Sequence, residues 1–122
     1  MMNDNYYVHE DDLQEDIAKL YETGEFPDRL TKGLMNMVEG IIHGRRFWGY
    51  TDDWKDDMRS NALEALVLSL NEKRYDPTQP NTRFFSWATK VIYNQFYNTL
   101  NKKRRELKKT KAYMELQKEG LI

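Results

Sequence analysis

Apolar residues recur every three or four positions in four stretches of this chain and nowhere alternate with polar ones, which restricts the fold to helices packed on helices. Leu13, Ile17, Leu20 and Tyr21 share one helical face, and Gly24 and Pro27 stop the pattern. A short amphipathic helix near 11–23 is predicted, and its length leads us to expect loose docking. A second stripe, Leu30, Leu34, Met37, Val38, Ile41 and Ile42, predicts a helix over 30–46, with Gly40 and Gly44 one turn apart and open to a close neighbour. Thr51, Asp52 and Asp53 are N-cap candidates for a third helix, the clearest core element. Its Trp54, Met58, Ala62, Leu63, Leu66, Val67 and Leu70 form one broad face.

Asp76, Pro77 and Pro80 force a turn within 71–81, after which Phe84, Phe85 and Trp87 open a fourth helix continued by Ala88, Val91, Ile92, Phe96 and Leu100. Carried to Leu107 it spans about 36 Å, longer than a core of this size, so its last turns are expected to project. Tyr113, Leu116, Leu121 and Ile122 then form either a docked final turn or a free apolar tail. A chain of 122 residues with 39% hydrophobic content sustains one small core rather than two. The expected fold class is all-α, a compact helical bundle with a long basic C-terminal helix.

Charge is sorted along the chain. Residues 1–30 hold nine acids and two bases, whereas 102–122 hold eight bases and three acids, so the formal net charge of -1 is an average over two opposed ends. Lys102, Lys103, Arg104, Arg105, Lys108, Lys109 and Lys111 are interrupted by a single acid, Glu106. Such a run attracts phosphates, stabilises the C-terminal pole of a helix, or docks on an acidic protein, and composition leaves the three readings open. The absence of cysteine excludes disulfides and thiol chemistry and favours an intracellular or otherwise disulfide-independent setting. No apolar run approaches the roughly 20 residues of a membrane span, and the acidic start is unlike a secretory signal, so a soluble protein with no membrane partner is expected.

Enzymatic chemistry finds little support. His9 lies in the acidic arm and His43 beside a glycine, neither with an evident catalytic partner. Asp52, Asp53, Asp56 and Asp57 are the densest carboxylates, pairing 52 with 56 and 53 with 57 at one-turn spacing. They stabilise a helix start, bind a divalent ion without the glycine-bearing loop that calcium sites use, or dock on a basic protein surface, which would relieve the repulsion of like charges over two turns. Tyr93 and Tyr97 are one turn apart, and Asn94, Gln95 and Asn98 offer amides to bases or phosphates, or are ordinary surface polar residues. Phe84, Phe85 and Trp87 read as core or as a platform for an unstacked base. No catalytic residue, metal or cofactor is expected.

The stretch WKDDMRSNALEALVLSLNEKRYDPTQPNTRFFSWATKVIYNQFYNTLNKKRR resembles the second region of bacterial sigma factors. The arrangement Phe47, Gly49, Tyr50, Thr51, Trp54, Lys55 and Met58, followed by a basic helix end, is similar to the late-transcription sigma factors of T-even-like bacteriophages. The resemblance covers 31–109, roughly two thirds of the chain, and divides it into an acidic N-terminal arm with a short helix (1–30), a sigma region 2-like helical domain (31–109) and a C-terminal tail (110–122). It implies a minimal sigma factor that binds bacterial core RNA polymerase and directs initiation at a short AT-rich late promoter element, in the cytoplasm of an infected host cell.

By the same resemblance, Asp53, Asp56 and Asp57 stand where sigma residues meet the clamp helices of the largest polymerase subunit. Phe84, Trp87, Ala88, Thr89 and Ile92 fall where the aromatic melting segment enters the recognition helix, and Asn94 replaces a base-reading glutamine. Two tryptophans usual in that segment are Lys90 and Val91 here, and Lys90 is assigned a phosphate. Tyr97 joins this DNA-facing set, and Lys102, Lys103, Arg104, Arg105, Lys108 and Lys109 are assigned promoter backbone phosphates. The helix-turn-helix domain of ordinary sigma factors finds no room after this region. Factors of this class rely on a co-activator and on a sliding clamp that grips a hydrophobic tail, a part assigned here to Leu116, Leu121 and Ile122, although the acidic aromatic tail of the class is not visible. Two alternatives remain: a polymerase-binding regulator or appropriation factor with a sigma-like docking surface but no promoter opening, supported by the missing tryptophan pair, and a helical adaptor unrelated to transcription.

Overall fold

The computed structural model describes residues 9–79 and 83–120. These form four α-helices and no strand: α1 (Glu10–Thr23), α2 (Asp28–Ile42), α3 (Asp52–Asn71) and α4 (Phe84–Lys118), with a 3-10 turn at Arg45–Phe47 between α2 and α3. The buried faces are the apolar stripes of the sequence: Leu13, Ile17 and Leu20 on α1, Leu30, Leu34, Met37 and Val38 on α2, Met58, Ala62, Leu66 and Leu70 on α3, and Phe84, Ala88, Ile92, Phe96 and Leu100 on α4. Each large side chain so buried contributes about 1.5–3 kcal/mol. α3 and α4 make the most extensive pairing and run antiparallel, with Asn61 meeting Thr99 and Asp57 meeting Lys103.

The helix ends follow from local chemistry. Gly24 closes α1 in the left-handed conformation, φ +78°, and returns its N–H to the Leu20 carbonyl at 2.7 Å. The Thr51 hydroxyl accepts the Trp54 N–H at 3.4 Å and caps α3. α4 has no local side-chain cap, and a carboxylate oxygen of Glu10 accepts the Phe85 N–H at 2.9 Å instead. That bond ties the start of α1 to the start of α4 and offsets the positive pole of the long helix.

α1 is docked firmly rather than loosely. Its apolar face lies in the same core as α2 to α4. The Tyr21 hydroxyl donates to the Tyr75 carbonyl at 2.7 Å, and Arg29 Nε and Nη2 donate to the two oxygens of buried Asp16 at 2.8 and 2.9 Å. Bidentate pairing of this kind compensates a carboxylate taken out of water. The hydrogen bond with Asp16 holds the Arg29 guanidinium above the ordinary arginine range, outweighing a lowering by desolvation.

Two boundaries differ from expectation. α2 stops at Ile42 rather than 46, because Gly44 turns extended and the 3-10 turn drives Phe47 into the core, its ring edge-on to Phe96 at 5.2 Å. Gly44 therefore serves the turn and not a helix-helix contact; a Cβ there would lie 3.0 Å from the Ile41 carbonyl oxygen. α4 continues past Leu107 to Lys118, 35 residues and about 52 Å. Neither proline nor glycine interrupts 84–118, and Gly120 stands just beyond with φ +76°. α3 begins at Asp52, so α4 outruns its antiparallel partner near Lys108 and the remaining turns are exposed. Tyr113 and Leu116 lie on this projecting rod, 55% and 40% exposed, and not in a docked turn. The expected Pro80 turn position and the tail residues Leu121 and Ile122 lie outside the described residues.

Candidate nucleic-acid interface

Phe47 organises one side of the bundle. Buried against Phe96, it also sits 6.1 Å from the rings of Tyr93 and Tyr97 and 6.5 Å from Tyr50. Its neighbour Arg46 is thereby laid on α4: the guanidinium donates to the Tyr97 hydroxyl at 3.1 Å and lies 5.5 Å from the centre of the Tyr93 ring. Tyr93 and Tyr97 stack on each other at 6.3 Å. The bond to Tyr97 raises the Arg46 guanidinium above its usual range. About two turns further along, Arg104 donates to the Tyr50 hydroxyl at 2.6 Å and covers the Tyr50 ring at 5.9 Å.

Beside these, Asn98, Asn101, Arg104, Arg105 and Lys108 line an open groove on α4. Exposed Lys90 and Asn94 precede them on the same side of the helix, away from the buried row Phe84, Ala88, Ile92 and Phe96. Cations, amides and tyrosine rings thus follow one another along a helix face, the mixture that holds phosphates while offering hydrogen bonds and stacking to bases.

The helix sorts the basic run into two faces. Arg104, Arg105 and Lys108 belong to the groove just described. Lys103 turns the other way, paired with Asp57 of α3 and lying 5.7 Å from the Trp54 ring. Lys102 lines a second depression with Asp57, Asn61, Thr99 and Glu106, again on the α3 side. Of the six residues assigned to phosphates, Lys102 and Lys103 thus lie towards α3, whereas Arg104, Arg105 and Lys108 line the outer groove. Lys109 is exposed on the projecting rod without an ion pair among the described residues.

The aromatic segment also divides. Phe84 is fully buried, edge-on to Tyr75 at 5.2 Å, so its assignment to DNA contact is corrected to a core role. Trp87 is half-buried, its ring 5.5 Å from Tyr75 and 5.6 Å from Phe84. Tyr97 is 39% exposed and remains available beside Arg46.

The acidic start of α3 is less one-sided than its sequence. Asp52, Asp53, Asp56 and Asp57 are all exposed. However, Asp56 accepts from Arg59 at 2.9 Å, Arg59 also donating to Glu39, and Asp57 is held by Lys103. Burial would lower the Arg59 guanidinium, but its bonds to Glu39 and Asp56 leave it raised. The repulsion among the four like charges is thus relieved in part by the fold itself, which supplies cations to two of them. Among the described residues, Asp52 and Asp53 make no ion pair.

Sequence reasoning missed Arg45, Arg46 and Trp48, and the signal was present: two arginines followed at once by two aromatics at a helix break, GRRFWG. Trp48 is 64% exposed, its indole N–H donating to the His43 carbonyl at 2.9 Å and the Arg45 guanidinium lying 5.7 Å from its ring centre. His43 Nδ1 lies 2.8 Å from the Glu39 carbonyl oxygen. Among the described residues no His, Asp and Glu cluster could hold a metal ion, and no helix is long and apolar enough to cross a membrane. The chain matches no protein-family model and no curated protein.

Proposed function

We propose that this chain is a minimal sigma-like initiation factor of the phage late type, which binds bacterial core RNA polymerase and directs it to a short AT-rich promoter element. One observation carries the reading: a small bundle presents an exposed acidic helix start and, separately, a cation, amide and tyrosine face on the neighbouring helix. In this reading Asp53 with Asp56, and Asp57 once Lys103 lets go, meet the polymerase clamp helices. Tyr97, Asn94, Lys90, Arg104, Arg105 and Lys108 face promoter DNA, with Lys109 adding charge from the rod. The protein forms and breaks no covalent bond, and acts in the cytoplasm of an infected bacterium. Leu116, with Leu121 and Ile122 beyond it, is the segment offered to a sliding clamp, alongside a late co-activator.

A second reading, a polymerase-binding regulator that does not open promoters, is favoured by the half-burial of Trp87 and by Lys90 and Val91 where a tryptophan pair would stand. Capture of core polymerase by the wild type and by Asp53→Lys/Asp56→Lys/Asp57→Lys, followed by transcription from AT-rich late-promoter templates, separates the readings. Capture lost in the variant together with specific initiation by the wild type supports the sigma role. Capture without initiation, co-activator supplied, supports the regulator, and no capture by the wild type removes both.

A further inference from the structure

Trp48 is the most exposed large hydrophobic side chain of the described residues, yet its indole is held in place. The N–H is bonded to the His43 carbonyl at 2.9 Å, the Arg45 guanidinium lies over one face at 5.7 Å from the ring centre, and the preceding Phe47 is locked in the core. A tryptophan exposed merely by chance is free to rotate; here a hydrogen bond, a cation and a buried neighbour fix the plane while 64% of the residue stays in water. Arg45 lies over the indole, and the next arginine, Arg46, reaches from the same turn to Tyr93 and Tyr97 of α4. A flat, pre-oriented π surface flanked by arginines suits a ligand that is itself flat, aromatic and tied to negative charge.

We propose that Trp48 and Arg45 form a stacking subsite for an unpaired nucleobase of single-stranded DNA, whose flanking phosphates are held by Arg45 and Arg46. The proposal rests on the reading of α4 as a DNA face and adds to it a site outside that helix. Stacking is indifferent to base identity, because every base has a π face, whereas a paired base within a duplex cannot reach the indole. Trp48 therefore selects unpaired over paired DNA, and the groove along Arg104 to Lys108 serves both.

The test measures fluorescence anisotropy of short labelled oligo(dT), an abasic strand of the same length and a duplex of the same length, with wild type, Trp48→Ala, Trp48→Phe and Arg104→Ala/Arg105→Ala/Lys108→Ala. The Ala variant is expected to bind oligo(dT) about tenfold more weakly, with abasic and duplex affinities unchanged. The Phe variant, which keeps a ring but loses the indole hydrogen bond, is expected to recover most of that loss. Unchanged oligo(dT) binding by Trp48→Ala, or an equal loss on the abasic strand, overturns the subsite. If the triple variant meanwhile weakens all three ligands, the α4 reading stands without it; if wild type binds none of the three, both fall.

Discussion

Lys103 and Arg104 are adjacent in sequence but 100° apart around α4, and the structure gives them different work: Lys103 pairs with Asp57, and Arg104 joins Tyr50 beside the groove. Arg104 and Lys108, by contrast, differ by only about 40°. If the groove holds DNA phosphates through Arg104, Arg105 and Lys108, replacing the three by alanine removes about three contacts. At about 0.9 per phosphate, the slope of log affinity against log salt then falls by about 2.7 in magnitude. The pair Lys102→Ala/Lys103→Ala removes two charges rather than three from the same stretch but from the α3 side, and is expected to change the slope by less than about 1 instead of the roughly 1.8 that two phosphate contacts would give. Its main consequence is to release Asp57, a partly exposed pair worth at most about 1 kcal/mol of stability. Titrating a labelled duplex at a series of salt concentrations, with thermal melts to confirm that both variants fold, decides the matter. Equal losses of slope would refute the sorting of the basic run by helix face.

Phe47→Ala is expected to destabilise the protein by about 3–5 kcal/mol, read by urea denaturation, because a fully buried ring packed edge-on to Phe96 leaves a cavity where α2, α4 and the 3-10 turn meet. Leaving stability near that of the wild type would show that the turn does not depend on this plug. In the turn after α3, Asp76 is lowered below its ordinary value, first by the Thr78 hydroxyl at 2.6 Å and then by the Thr78 N–H at 2.9 Å. The stabilisation from this turn is therefore present above the unfolded aspartate value and disappears as pH falls through the lower folded one. Thr78→Val is expected to move the carboxylate titration of Asp76, followed by NMR, back towards the ordinary value, and an unmoved titration would count against the hydroxyl as the main cause.

Helix content and most of the core were legible because the stripe of each helix repeats with the helical period: Met58, Ala62, Leu66 and Leu70 are buried as their spacing requires. What periodicity cannot see is a residue buried from a loop. Tyr75 is 1% exposed, yet it follows a left-handed Lys73 in a segment with no repeat, and it is enclosed by Phe84 and Trp87 arriving from α4 and by Gln14 and Tyr21 from α1. Pairings between distant residues were equally hidden. Nothing local tells that Glu10 caps α4 or that Asp57 meets Lys103, and the second of these changes the apparent charge of the acidic helix start. The end of α2 falls four residues before the one its stripe predicts, because Gly44 leaves the helix in an extended conformation and delivers Phe47 to the core from a different direction.

The two faces proposed to meet polymerase and DNA are mechanically joined. Trp54, at the acidic start of α3, stacks on Tyr50 at 6.0 Å and is covered by Lys103, while Tyr50 is covered by Arg104. A cationic partner that claims Asp57 must displace the Lys103 ammonium, which frees a positive charge on α4 next to the DNA-facing residues. DNA phosphates that draw Lys103 away would in turn expose Asp57 to the partner. If both proposed partners bind, linkage requires the two effects to be equal in free energy, so that each would favour the other through this one ion pair. Asp57→Asn breaks the pair without adding bulk, and should leave Lys103 free in advance. DNA affinity of the isolated variant is then expected to rise above that of wild type, while capture of core polymerase weakens, and a variant whose DNA affinity is unchanged would show that the ion pair only holds α3 to α4.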